Sequence, residues 1–310
     1  MNYTDFAKEW ESPSDCIICR TSGSTGTPKE ICLPKSEMRK SAWRTIRFFG
    51  LDSNSHLHSC VSPDYIGGMM MAVRAYETGA ELTWERPSNR PLDKYDGMRI
   101  DLLATVPSQM IHILDNLHDM PEIRAVIIGG APIPSHLRER IAKSGLEAWE
   151  TYGMTETASH IALRCVSVTP GAFMTLDGIR TYTDRESRLV IEMDGWQRIV
   201  TNDIADIAED GGFTILGRYD NVIITGGKKV HPEVVEDILE RELGVPVMIS
   251  SLPDEKWGER VIMTIEDGLD KREDTNIISK CKNLLPKECV PKEIRHTQVA
   301  RTGNGKKKRK

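Results

Sequence analysis

No stretch of the 310 residues approaches 18 consecutive apolar positions, so the sequence offers no candidate for a membrane-crossing helix. Its most apolar region, 66–76, is interrupted by Gly67, Gly68 and Arg74. The first eleven residues are polar and acidic and lack the apolar core of a secretory signal, so a cytoplasmic location is expected. Neither charge dominates: 41 Lys and Arg stand against 46 Asp and Glu, a formal net charge of -5. That balance argues against nucleic acid as a main partner. The only basic run closes the chain, and Lys307 to Lys310 read as a solvated end. Cysteine is sparse and set in no framework. Seven residues, at 16, 19, 32, 60, 165, 281 and 289, read as reduced thiols. Cys16 and Cys19 have CxxC spacing, but no second pair with ligand spacing accompanies them. Strand alternation through Ile17 and Ile18 sends the two thiols to opposite faces, so no metal or redox role is assigned to the pair.

What is present is ordinary globular material, 39% hydrophobic and 28% charged, enough for a large domain with or without a smaller one. Two short strands, at 15–21 and 31–34, flank a Gly/Ser/Thr loop. A helix follows over 36–49, with Ser36 as its N-cap. Strands at 58–61, 102–106 and 125–128 alternate with helices at 67–78, 107–116 and 134–144, the rhythm of a largely parallel α/β sheet. Functional groups of such sheets gather at the carboxyl ends of strands. From about 178 the texture becomes antiparallel, with short strands at 189–193, 198–201, 205–207 and 213–216. Beyond a polar bridge at 217–220 come a strand (222–225), a helix (232–243), strands near 247–250 and 261–265, and a last helix at 275–285. The predicted division is 1–217 and 218–310.

The sharpest signal is Thr21-Ser22-Gly23-Ser24-Thr25-Gly26-Thr27-Pro28-Lys29. Hydroxyls and backbone N–H groups in a loop leaving a strand suit phosphate oxygens, glycine permits close approach, and Lys29 adds charge. It is no Walker A loop, because Pro28 parts Gly26 from Lys29. Thr151-Tyr152-Gly153-Met154-Thr155-Glu156-Thr157 supplies a carboxylate suited to a hard cation. Gly129-Gly130-Ala131-Pro132, Thr201-Asn202-Asp203, Gly217-Arg218-Tyr219-Asp220, Thr225-Gly226-Gly227 and Arg301-Thr302-Gly303-Asn304-Gly305-Lys306 follow in that framework.

Taken in order, these strings resemble the adenylate-forming superfamily of acyl- and aryl-CoA synthetases, luciferases and peptide-synthetase adenylation domains. The resemblance runs from about Thr21 to Lys306. It implies an α/β fold with a large N-terminal domain and a small, mobile α+β C-terminal domain hinged at Asp220. It also implies ATP, Mg2+ and coenzyme A, and an acid joined first to AMP and then to the CoA thiol. Residue by residue, Thr21 to Thr27 and Lys29 would hold the polyphosphate, Tyr152 would face adenine, and Gly130 to Pro132 with Gly153 would wall the nucleotide. Thr155 would stand near the phosphates and Glu156 would hold magnesium. Asp203 and Arg218 would take the ribose, with Asn202 in place of the family's glycine supporting a positive φ. Lys306 would stabilise charge on the pentavalent phosphorus, and Gly226 and Gly227 would line the pantetheine tunnel.

Only twenty residues precede the phosphate loop, so the resemblance implies a reduced first subdomain. Compact members include o-succinylbenzoate–CoA ligases of menaquinone synthesis, and 158–163 resembles their pattern. Tyr65, Gly129, Ser159 and His160 are the expected acid-pocket residues, Ser159 and His160 donating to a second carboxylate. A ligase for another aryl or medium-chain acid, a carrier-protein loading enzyme and a non-catalytic nucleotide-binding homologue remain as alternatives. The sequence leaves monomer and homodimer open.

Overall fold

The computed structural model describes residues 3–20, 29–97, 99–167, 169–266, 273–299 and 307. The chain divides into two compact units, one of 1–133 with 137–179, the other of 134–136 with 180–310. The antiparallel strands after 180 therefore group with the C-terminal elements, whereas the sequence placed them with the large domain.

The first unit opens on helix α1 (Tyr3–Glu11), which buries Tyr3, Phe6 and Trp10. Strands β1 (Cys16–Arg20) and β2 (Glu30–Pro34) pair antiparallel. Ile17 and Cys19 face inward, so Cys16 and Cys19 do point apart. Cys16 nevertheless forms a disulfide with Cys32, Cα–Cα 5.7 Å, which corrects the expectation of reduced thiols throughout. The partner came from the facing strand, where only the register reveals it. Helix α2 (Lys35–Phe49) starts one residue before Ser36, with Pro34 in the cap position and no side-chain cap bond.

Then come β3 (His56–Ser59), α3 (Ile66–Thr78), β4 (Glu81–Trp84), β5 (Arg99–Ile100), β6 (Leu102–Thr105), α4 (Pro107–Asp115), β7 (Glu122–Ile123), β8 (Val126–Ile128), α5 (Ser135–Lys143), β9 (Ala148–Met154), β10 (Ser159–Cys165) and β11 (Met174–Thr175). A seven-stranded sheet runs β11-β10-β9-β8-β6-β3-β4. From β9 to β4 it is parallel; β10 and β11 are antiparallel additions. β6 and β8 are buried at every position, as expected of strands covered on both faces. α3 closes on Gly79, whose φ of 72° gives the left-handed cap that an L side chain resists.

The second unit holds β12 (Ile179–Thr183), β13 (Arg188–Met193), β14 (Ile199–Ile207) and β15 (Phe213–Arg218) in one four-stranded sheet. The two short strands expected at 198–201 and 205–207 are one continuous strand, so Asn202 lies within β14, where its pairing with β13 shifts register, and not at a positive-φ turn. β16 (Ile223–Thr225), β17 (Lys228–Val230), α6 (Pro232–Leu243), β18 (Val247–Asp254), β19 (Gly258–Ile265), α7 (Asp274–Leu284) and β20 (Glu293–His296) complete it. α6 and α7 bury Val235, Leu239 and Ile277 against Ile249 and Ile265 of the second sheet. Among the described residues no helix is long and apolar enough to cross a membrane.

Candidate active site

The two strings with the most direct chemistry, Thr21 to Thr27 and the Arg301–Lys306 run, lie outside the described residues. Their flanks are described. β1 and β2, stapled by Cys16–Cys32, bracket the first loop, and Lys29 is exposed just before β2. After the second, Lys307 donates to Glu236 (2.9 Å), Glu240 (2.7 Å) and the Val247 carbonyl (2.5 Å). Its side chain is 17% exposed, which corrects the reading of Lys307 as solvated tail: two carboxylates and a carbonyl replace its water.

In the first unit the site forms where β9 leaves the sheet and turns into β10. Gly129 follows β8, and its N–H donates to the Thr105 carbonyl at 3.1 Å. Thr151 Oγ1 donates to the Ile128 carbonyl at 3.3 Å. A Cβ on Gly129 would meet that hydroxyl at 2.7 Å, so glycine here lets β9 pass. Gly130, at φ 85°, turns Ala131 and Pro132 away from the strand. At Gly153 a side chain would run into the Ser159 carbonyl and the His160 Cα, which makes glycine obligatory in the hairpin.

The turn itself is over-determined. Met154 N–H donates to Thr157 Oγ1 (3.0 Å), Thr157 Oγ1 donates to the Ser159 carbonyl (2.7 Å), and Ser41 Oγ donates to the Ala158 carbonyl (2.7 Å). These bonds hold Ala158 and Ser159 at φ 51° and 92°, a conformation that non-glycine residues adopt only when their surroundings enforce it. Tyr152 and the half-buried Thr155 and Glu156 lie on either side of Met154, and the Tyr152 ring packs 5.8 Å from Phe173. Among the described residues no hydrogen bond or ion pair occupies the Glu156 carboxylate. A hard oxygen donor in that state fits Mg2+, which binds through one or two carboxylates plus phosphate. Beneath the turn, buried Glu150 joins Arg138 (2.5 Å) and Arg164 (2.6 Å), fixing β9 to α5 and β10.

The expected acid-pocket residues divide. Ser159 and His160 are buried. His160 Nε2 lies 2.9 Å from Thr45 Oγ1 on α2, and burial, with the Arg74 charge second, lowers its pKa well below the ordinary value, so the ring is neutral near pH 7. Tyr65 is exposed at the start of α3.

Sequence reasoning missed Arg74. It sits on α3 at 1% exposure, and among the described residues its Nε and Nη2 have no hydrogen-bond partner. Nη1 reaches only the Met71 sulfur at 3.6 Å. Burial depresses its pKa to about 9, an effect that the Tyr3 hydroxyl opposes. A buried guanidinium without an anion is costly, and it points to an anionic ligand. The signal in the sequence was one arginine inside the most apolar run.

In the second unit, Asp203 on β14 faces Arg218 on β15 in register. Arg218 Nη1 donates to Asp203 Oδ1 at 3.0 Å. Asn202 Nδ2 donates to Asp220, in the turn Tyr219–Asn221. These residues therefore cluster where β15 ends beside β14. Gly226 and Gly227, at φ 57° and 76°, form the β16–β17 turn. The Trp257 indole packs on Gly226, where a Cβ would meet Cε3 at 2.7 Å.

Residues 3–183 match the family model described as AMP-binding enzyme. A 2-succinylbenzoate–CoA ligase from Bacillus mycoides is 24% identical over 92% of this chain and 67% of its own length. A feruloyl-CoA synthase from Amycolatopsis is 25% identical over 94% and 68%. Among solved structures, an acyl-CoA synthetase (AMP-forming)/AMP-acid ligase II-like protein from Dyadobacter fermentans is 29% identical, with TM-score 0.65, covering 98% of this chain and 90% of that one. The o-succinylbenzoate CoA synthetase of Bacillus subtilis in complex with its acyl-adenylate intermediate is 21% identical, with TM-score 0.80 over 94% of this chain and 67% of that one. The fold is that of the adenylate-forming enzymes, and the chain spans about two thirds of the length of most of these relatives.

Proposed function

The chain belongs to the AMP-binding enzyme family, an acid–thiol ligase by class, and on that premise we propose that it is an o-succinylbenzoate–CoA ligase. A carboxylate oxygen of the acid attacks the α-phosphorus of ATP as the bond to pyrophosphate breaks. The CoA sulfur, losing its proton, then attacks the acyl carbon and AMP departs. Arg74 carries the choice of acid. A fully buried guanidinium with two unpartnered nitrogens, whose charge acts on His160 in the expected pocket, calls for a substrate bearing a second carboxylate. Ser159 and His160 are buried at the same turn; a neutral imidazole there polarises or orients the acid without repelling the guanidinium.

The remaining roles follow the motifs. Thr21 to Thr27 and Lys29 serve the polyphosphate, and Tyr152 the adenine, with Gly130, Ala131, Pro132 and Gly153 as its walls. Asp203 and Arg218 serve the ribose, and Lys306 the reacting oxygens. Glu156, with Thr155 beside it, would hold Mg2+, which when bound would supply positive charge to the departing pyrophosphate. Gly226 and Gly227 admit the pantetheine arm after movement about Asp220. Both co-substrates are cytoplasmic solutes, and the enzyme is placed there.

The test is pyrophosphate release with Mg2+-ATP and o-succinylbenzoate, with and without CoA. Release that requires the acid, followed by CoA-dependent AMP, supports the whole proposal. Release only with acids that carry one carboxylate, feruloyl-type acids included, keeps the chemistry and discards the substrate. Silence with every acid overturns the ligase reading.

A further inference from the structure

Away from the nucleotide motifs, three side chains of metal-ligating type converge inside the first unit. His58, Cys60 and Glu85 each bring one ligand atom within 4.8 Å of the others. The register explains the cluster. β3 and β4 are parallel with His58 opposite Thr83, and alternation places Cys60 and Glu85 two residues further along on the same face. His58 is 3% exposed and Cys60 is fully buried.

The surrounding bonds orient each group. Thr83 Oγ1 donates to the Leu57 carbonyl (3.3 Å) and lies 2.8 Å from His58 Nδ1. With the hydroxyl proton on that carbonyl, Thr83 Oγ1 accepts from Nδ1–H, the tautomer that leaves the Nε2 lone pair available. Nε2 is buried and has no hydrogen-bond partner among the described residues. Glu85 Oε1 accepts the Leu92 N–H at 3.0 Å. Cys60 is pinned at both backbone atoms, its N–H on Ala104 and its carbonyl under Gln109 Nε2 at 2.9 Å. The Tyr95 ring closes against the imidazole at 4.9 Å.

If this cluster only packed, it would bury an imidazole nitrogen unsatisfied, an arrangement that folded proteins avoid. One nitrogen, one sulfur and one oxygen donor form the set that a borderline cation such as zinc selects, while Mg2+ and Ca2+ favour oxygen alone. The hydrogen bond from His58 Nδ1 to Thr83 is the outer-shell contact that a ligating histidine makes through its second nitrogen. A dication binds the Cys60 sulfur directly, as its thiolate.

We propose that His58, Cys60 and Glu85 bind a zinc-type divalent cation that staples the carboxyl ends of β3 and β4. The Cys60 proton passes to solvent as the sulfur–metal bond forms, so one proton is released per ion, with no change of oxidation state. Cys60 opens the turn leading into α3, the helix that carries Arg74. The ion thereby braces that turn, and the proposal rests on no part of the adenylation reading.

The full chain, chelator-treated, is refolded with Co2+ in anaerobic buffer free of added thiols. One equivalent should bind with a near-ultraviolet thiolate-to-cobalt band that Zn2+ abolishes. Cys60→Ser should remove the band, while Cys281→Ser, which alters a buried thiol of the other unit, should leave it. Glu85→Gln, which still accepts the Leu92 N–H, should weaken binding more than about 10-fold, and Thr83→Val about 10-fold. Failure to bind cobalt stoichiometrically, or a band that survives Cys60→Ser, overturns the site. Should Cys60→Ser not fold by circular dichroism, the other two variants decide: unchanged affinity in both overturns it equally.

Discussion

Thr45 Oγ1 and His160 Nε2 lie 2.9 Å apart in the interior, a hydrogen bond that ties helix α2 to the first residues of β10. Burial presses the His160 pKa well below 6.5. The unfolded chain therefore binds more protons than the folded one below about pH 6.5, and stability falls as pH drops through that window. The slope from this residue is at most about 1.4 kcal/mol per pH unit. Denaturant midpoints measured from pH 7.5 to 5 should decline, and His160→Gln should flatten the decline. An unchanged slope in that variant would assign the pH dependence to other groups.

Arg74 separates stability from function. Without an anion its guanidinium is a buried, unpartnered charge, so Arg74→Met should hold or raise the thermal midpoint. Loss of a charge-assisted bond to the substrate's second carboxylate, worth about 1.5–3 kcal/mol, should raise KM for o-succinylbenzoate roughly 10–150-fold. KM for acids with a single carboxylate should move little. Equal losses on both kinds of acid would show that Arg74 does not read the second carboxylate.

Glu156 is half-buried at the end of β9, and no described residue neutralises it. Glu156→Gln should lower kcat by about 100-fold or more and shift the Mg2+ dependence to higher concentration. The fold should be unaffected. Recovery of rate at high Mg2+ would distinguish a metal ligand from a residue that only shapes the turn.

The strings assigned to the candidate site stand out in the sequence because each is local: glycine, hydroxyl and carboxylate stand within a few residues of one another, and the turn chemistry at Gly153 follows from that spacing. The parallel sheet was legible for a similar reason, since β6 and β8 are buried runs, apolar but for Thr105, between helices. What escaped depends on partners far away in sequence. Arg74 read as an interruption of an apolar segment, because only the packing of α3 shows that nothing answers its charge. Asn202 and Asp203 fell between two expected strands, yet pairing of Asp203 with Arg218 keeps β14 continuous. Cys16 and Cys32 sit sixteen residues apart, and only the β1–β2 register brings them together. Tyr3, Phe6 and Trp10 did carry a helical spacing, but the acidic residues among them hid α1.

Two adjacent lysines should fail in opposite ways. Lys307 is fixed by Glu236, Glu240 and the Val247 carbonyl, joining the chain end to α6 and β18. Glu236 is buried and also accepts the Ile249 N–H at 2.7 Å. Lys307→Ala should therefore remove one cation from two carboxylates, Glu236 among them buried, and cost about 1–3 kcal/mol of stability. Its effect on turnover, measured well below the melting transition, should be small if the loss stays structural. Lys306 has the reverse assignment: Lys306→Ala should preserve the melting temperature and ATP binding while acid-dependent pyrophosphate release falls by about 100-fold or more. Transfer from a supplied acyl-adenylate to CoA should survive in that variant, because the second step needs no charge at the α-phosphorus of ATP. If Lys307→Ala abolished adenylation in a folded protein and Lys306→Ala did not, the catalytic cation would be one residue further along the chain.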